Sequence, residues 1–296
     1  MTDGLSKVCP HKLVQGLASI QHIKLREAGL TVEQIDLLML EIMRSNTIKS
    51  LDIIDKNISM ANMENMVAAF ISLESLSLHY GTLIGDRTID TFLRQMGTSQ
   101  SRLVELSLRN ISLSHVDPLV LGLAVKNLQS LEIMISDLSS IQLDFIFTTF
   151  AKRKHQGLKH LRLSYNDLSL LSASLFVDVC QNCQVLEVFN AKVTTEQMEG
   201  LFKCLATSTN STLQELNVNY NDLSQVSPDV LAQGVNKLHK AFLYKTELSE
   251  EQISKVLDYG MKQSKLFHLD LRYNVKRNSS CHLTRYLRSH VYKIEI

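Results

Sequence analysis

The stretch Leu158-Lys159-His160-Leu161-Arg162-Leu163-Ser164-Tyr165-Asn166-Asp167-Leu168 decides the fold. Its apolar residues follow the frame Leu-x-x-Leu-x-Leu-x-x-Asn-x-Leu. Leu161-x-Leu163 is strict alternation, so both side chains point to one side of a short strand. The frame recurs as Leu213, Leu216, Val218, Asn221 and Leu223. It recurs again as Leu103, Leu106, Leu108 and Leu113, and as Leu73, Leu76, Leu78 and Leu83. Looser copies start at Ile20, Ile48, Leu128, Cys183, Leu238 and Leu266.

Numbering each copy by its second apolar residue gives Ile23, Leu51, Leu76, Leu106, Leu131, Leu161, Leu186, Leu216, Ala241 and Leu269. The steps are 28, 25, 30, 25, 30, 25, 30, 25 and 28 residues, and one more step of 25 lands on Ile294, inside Val291-x-x-Ile294-x-Ile296. Between frames lie segments of helical spacing, such as Leu201, Phe202, Leu205 and Ile253, Val256, Leu257. One strand and one helix cannot bury their apolar faces alone, whereas stacked units share a continuous core. The pattern predicts an α/β solenoid of about ten repeats, with a parallel sheet on the concave side and helices outside. A doubly wound sheet or a βα-barrel also alternates strand and helix, but neither predicts a leucine frame at these steps.

Helix-start chemistry agrees. Asp117-Pro118 and Ser227-Pro228 each offer an N-cap followed by Pro at the first helical position, 110 residues apart. Thr194 with Gln197, and Ser249 with Gln252, fit a capping box. Residues 1–19 read as an N-terminal helical cap segment and 20–296 as the solenoid. The unbroken register predicts one cooperative array.

The frame resembles that of the leucine-rich-repeat family, and the alternation of two unit types with full helices resembles its ribonuclease-inhibitor-like class. Asn166, Asn221 and Asn274 hold the asparagine slot in one unit type, and Ser136, Ala191 and Thr246 hold it in the other. In the family that side chain ties down the turn. Ala191 has no polar group, so the resemblance implies a looser turn there. The array around Leu216–Leu223, Ser227-Pro228 and Leu248–Gln252 is similar to the repeat arrays of NOD-like receptors, which implies a recognition role in innate immunity. No nucleotide-binding, CARD or pyrin-like segment precedes it, so it reads as a stand-alone array or a detached receptor end. Ribonuclease inhibitor itself is acidic and cysteine-rich, and GTPase-activating proteins of the Ran type carry an acidic tail. This chain departs from both.

Composition narrows the function classes. The 296 residues are 45% apolar and 21% charged, with a formal charge of +1, which is the balance of a folded chain without the basic field of a nucleic-acid binder. No run of 18 apolar residues exists, so no membrane span is expected. Five cysteines without repeated spacing do not make a disulfide framework. With no signal-peptide pattern at the start, the expected setting is cytoplasmic, and the sequons at Asn57, Asn110, Asn210 and Asn278 are expected to be idle. Cys180-x-x-Cys183 lacks a second pair for zinc, and Cys183 falls on a core position of its frame. The histidines are scattered, and no HExxH, GxGxxG, P-loop or GxSxG motif occurs. The expectation is a non-enzyme that needs no cofactor or metal.

That leaves the concave face as the candidate site. Its middle slot runs Lys24, Asp52, Ser77, Ser107, Glu132, Arg162, Glu187, Asn217, Phe242, Asp270. Opposite charges on neighbouring strands there are expected to pair with each other, for ~0.2–1 kcal/mol each. Phe189, Phe242 and Tyr244 are rings pointing away from the core, which favours a partner protein docking there. Asn219 is expected to leave room among the three rings, and Lys240 and Arg272 to border the patch and read a carboxylate. A regulator of a small GTPase and a structural adaptor are the alternatives. Val291–Ile296 reads as an edge strand open to self-association.

Overall fold

The computed structural model describes residues 5–17, 19–54, 56–79, 85–98, 101–153, 157–263, 266–274 and 294–295. Leu83, Asn278, Val291–Lys293 and Ile296 lie outside these residues. The chain forms two compact units, 1–149 and 150–296.

The first unit contains α1 (Pro10–Leu17), β1 (His22–Arg26), α2 (Val32–Arg44), β2 (Ser50–Ile54), α3 (Met63–Ser72) and β3 (Ser75–His79). It continues with α4 (Asp86–Met96), β4 (Glu105–Arg109), α5 (Pro118–Val125) and β5 (Ser130–Met134), and α6 (Ser140–Ala151) carries the chain onward. The second unit contains β6 (His160–Arg162), α7 (Ala173–Cys180), β7 (Val185–Glu187), α8 (Thr195–Thr207) and β8 (Glu215–Asn217). After these come α9 (Pro228–Val235), β9 (Lys240–Phe242), α10 (Glu250–Gln263), β10 (His268–Asp270) and β11 (Ile294–Glu295). Within each unit every strand lies parallel to the next in chain order.

The register is the one read from the frame. Ile23 pairs with Leu51, Leu51 with Leu76, Leu76 with Leu106 and Leu106 with Leu131. In the second unit Leu161 pairs with Leu186, Leu186 with Leu216, Leu216 with Ala241, Ala241 with Leu269 and Leu269 with Ile294. From Ile23 to Leu269 none of these frame residues is more than 4% exposed. A one-residue slip would turn every one of them to solvent, which is why the pattern fixes the pairing. This is a leucine-rich-repeat solenoid.

Four glutamines lock helix to loop. Gln34, Gln142, Gln197 and Gln252 stand at the third position of their helices, and each Oε1 accepts the N-cap N–H, of Thr31, Ser139, Thr194 and Ser249, at 2.8 Å. Each Nε2 donates to two carbonyls of the preceding repeat's loop: Leu5 and Val8, Leu113 and Val116, Leu168 and Leu171, Leu223 and Val226. A buried amide is thereby satisfied on both ends. Gln34 makes the same bonds as the others, so Leu5–Leu17 occupies the place of a repeat's loop and helix. The capping boxes expected at Thr194 and Ser249 form. Asp117 caps Leu119 N–H as expected, but Ser227 makes no side-chain cap, and its own N–H donates to Glu199 Oε1 instead. Helix α9 lies so close to α8 that a Cβ on Gly234 would meet Phe202 Cβ at 2.6 Å.

Candidate interaction surface

Among the described residues, eight repeats leave their strands through the same kink. The residue four beyond the frame position has a positive φ in Glu27, Asn110, Ile135, Tyr165, Asn190, Tyr220, Lys245 and Tyr273, all between 47° and 63°. A left-handed conformation costs a non-glycine residue ~1–2 kcal/mol. The cost recurs in both units, so it belongs to the fold rather than to one site. The kink swings the side chain of that residue toward the one before it on the neighbouring repeat.

In the second unit this brings five rings into line. Tyr165 meets Phe189 at 4.9 Å between centroids, Phe189 meets Tyr220 at 4.8 Å, Tyr220 meets Tyr244 at 5.2 Å, and Tyr244 meets Tyr273 at 4.9 Å. All four contacts are tilted, within the range that favours aromatic pairs. The two unit types alternate in supplying them: Tyr165, Tyr220 and Tyr273 precede the asparagine slot, and Phe189 and Tyr244 come one position earlier in the other type. Backbone bonds hold the series, with Tyr165 N–H donating to Phe189 O at 2.9 Å and Tyr220 N–H to Tyr244 O at 3.0 Å. Tyr273 is 72% exposed and Tyr165 45%, so the ladder presents faces and edges to solvent. A hydrogen bond with Tyr220, followed by desolvation and the neighbouring phenols, holds the Tyr244 hydroxyl above its usual pKa.

The expected residues fall on this surface in a different arrangement. Phe189 and Tyr244 are rungs of the ladder, just past the ends of β7 and β9. Phe242 is apart from it, stacked on His268 at 4.8 Å. Tyr220 bridges Phe189 and Tyr244, so the space expected over Asn219 is bordered by a ring. Asn219 itself is engaged: its Oδ1 accepts Tyr244 N–H at 2.7 Å, while its N–H donates to Asn217 Oδ1. Lys240 and Arg272 border the face, each paired with a carboxylate, Glu215 at 2.7 Å and Asp270 at 2.8 Å. Arg272 also lies over the Tyr244 ring at 5.6 Å, and Lys245 over Tyr220 at 5.0 Å. Both are cation–π distances. The sequence reading missed Tyr165, Tyr220 and Tyr273, although the recurring Tyr-Asn pair, 165–166, 220–221 and 273–274, was the signal for them.

Lys24 pairs with Asp52 and Arg162 with Glu187 as expected, whereas Glu132 is held by Arg109, which stands outside the middle slot. Cys180 and Cys183 are wholly buried, and burial pushes the Cys183 thiol up to about 12. Among the described residues no three His, Cys, Asp or Glu side chains converge as a metal site, and no helix is long and apolar enough to cross a membrane.

No family model matches the chain, and no curated protein matches it. The crystal structure of the Rad7 and Elc1 complex in yeast contains a chain of similar fold, with a TM-score of 0.58 at 16% identity, over 91% of this chain and 72% of that one. At that identity the likeness bears on the fold alone, and it agrees with the repeat architecture.

Proposed function

We propose that this chain is a protein-interaction module of the leucine-rich-repeat type, and that the ring ladder from Tyr165 to Tyr273 is where the second unit holds a partner protein. The observation that carries the reading is five stacked rings left open on a sheet face. Rigid aromatic side chains supply contact area at small entropic cost, and they are enriched where binding energy concentrates. The ladder orders its own rings before any partner arrives, which lowers the cost of binding. The solved neighbour's presence in a two-protein complex is consistent with this use of the fold. Assignment to a NOD-like-receptor recognition array and a cytoplasmic setting rest on the sequence reading alone. A non-catalytic role belongs to the same proposal.

Affinity capture with the intact chain and with Tyr220→Ala/Tyr244→Ala, matched for thermal stability, tests it. A partner anchored on the ladder loses about 2 kcal/mol or more of binding to the variant. Partners that bind both forms equally would place the interaction elsewhere, on the helical side or the loops.

A further inference from the structure

The first unit carries a second recess, with different chemistry. Five neighbouring strands bring Arg26, Ile54, His79, Arg109 and Met134 into one row across the sheet: Arg26 pairs with Ile54, His79 with Arg109, and Arg109 with Met134, while Ile53 opposite Leu78 sets Ile54 beside His79. With Asn110 and Ile135 they line a hollow of about 450 Å³, a volume within the range of ligand sites.

Charge in the hollow is layered. The Arg26 side chain is 49% exposed and Asp52 beneath it 22%; Arg109 is 45% exposed and Glu132 beneath it 8%. Arg26 uses Nε and Nη2 on Asp52 Oδ2, at 3.3 and 2.8 Å, with Nη1 outside that pair. Arg109 sets Nη2 between the two Glu132 oxygens, at 2.7 and 2.9 Å, with Nε and Nη1 outside that pair. The carboxylates orient the guanidiniums from below, and the guanidiniums carry the charge outward. Between them His79 is tied by Nε2 to Ser77 Oγ at 2.9 Å and lies 3.3 Å from Asp52 Oδ1. Ile54, Met134 and Ile135 form the apolar part of the lining, and Asn110 adds a polar side chain.

We propose that this hollow binds an acidic segment of a partner protein in extended conformation, with carboxylates four residues apart on Arg26 and Arg109 and an apolar side chain between them. The spacing makes the argument. Three strand intervals separate the two arginines, ~14 Å. Same-face side chains of an extended chain recur every ~6.8 Å, so positions i and i+4 lie ~13.6 Å apart and position i+2 falls over Ile54 and His79. Arginines rooted three strands apart, each turned onto its own carboxylate, favour two separate carboxylates over one shared phosphate. The site is independent of the ring ladder, and either can fail without the other.

The test is a capped, fluorescein-labelled peptide with Glu at i and i+4 and Leu at i+2, titrated against the full chain by anisotropy at low salt. Saturable binding is expected, weakened about tenfold or more by Arg26→Gln, by Glu→Gln at both peptide positions, or by moving the acids to i and i+2. Arg109→Gln alone would strand Glu132, so Arg109→Gln/Glu132→Gln is the second variant; it removes the pair together and is expected to weaken binding by a similar factor. Circular dichroism checks that each variant is folded. No saturation by ~1 mM peptide overturns the proposal. So does equal affinity for the shortened spacing, tighter binding of a peptide with a single phosphoserine, or a full response from the folded double variant.

Discussion

Asn221 ties down the turn that Ala191 cannot. Its Oδ1 accepts the N–H groups of Ala191 and Val193, at 3.1 and 3.2 Å, and its Nδ2 donates to Val188 O and Val218 O at 2.8 Å each. The looser turn expected at Ala191 is therefore corrected: the asparagine of one repeat serves its own turn and the preceding one. Asn274 repeats the device for Thr246 and Leu248, at 2.8 and 3.2 Å. Alternation of the two unit types becomes intelligible, since one asparagine covers two turns.

Asn221→Ala leaves two buried N–H groups and two buried carbonyls without that partner. At ~1–3 kcal/mol for an orphaned group, the loss of unfolding free energy is expected to reach about 3 kcal/mol or more. Urea denaturation measures it. A loss comparable to a surface substitution would mean that water replaces the side chain freely.

Leu161 is fully buried and paired with Leu186. Leu161→Ala removes a side chain from the stacked core and is expected to cost ~2–5 kcal/mol. Equilibrium unfolding giving under about 1 kcal/mol would contradict the burial of the frame, since core truncations cost more than that.

Ile135 is β-branched, 49% exposed, and held at a φ of 54°. Few residues suit a left-handed turn less. Ile135→Asn keeps the chain path and relieves strain, with an expected gain of about 1 kcal/mol. An unchanged or lowered melting temperature would show that Ile135 contributes packing that outweighs its backbone cost.

Cysteine reactivity should divide sharply. Cys9 is exposed, whereas Cys180 and Cys183 are buried and their thiols are pushed far above the usual range by desolvation. At pH 8 a thiol reagent is expected to modify Cys9 promptly and the buried pair only as fast as the structure opens. Because the folded thiols titrate above their unfolded values, the unfolded chain releases these protons first. The stability is thus intact below about pH 9 and declines as pH rises beyond it. A melting temperature flat from pH 8 to well above the unfolded thiol range would contradict that linkage.

Much of this was readable from residues alone. Leu161-x-Leu163 and its copies fix strand, register and the inward row, because alternation is a local property and a slip exposes a whole row. Pro118, Thr194 with Gln197 and Ser249 with Gln252 announced helix starts for the same reason: capping acts over three residues. Phe189 and Tyr244 were legible as outward rings, and Tyr165, Tyr220 and Tyr273 were equally visible beside their asparagines.

What only the tertiary structure decided lies between repeats. That Asn221 reaches back to Ala191, that Gln197 reaches Leu168 and Leu171, and that Tyr220 joins Phe189 to Tyr244 are contacts across about 25–30 positions. Each depends on how one repeat stacks on the next. Phe242 is set against His268, apart from Phe189 and Tyr244, with which it was expected to form one patch. Sequence alone specified the strands and the core because burial follows a period of two; the surface followed from contacts between stacked repeats, which no single repeat contains.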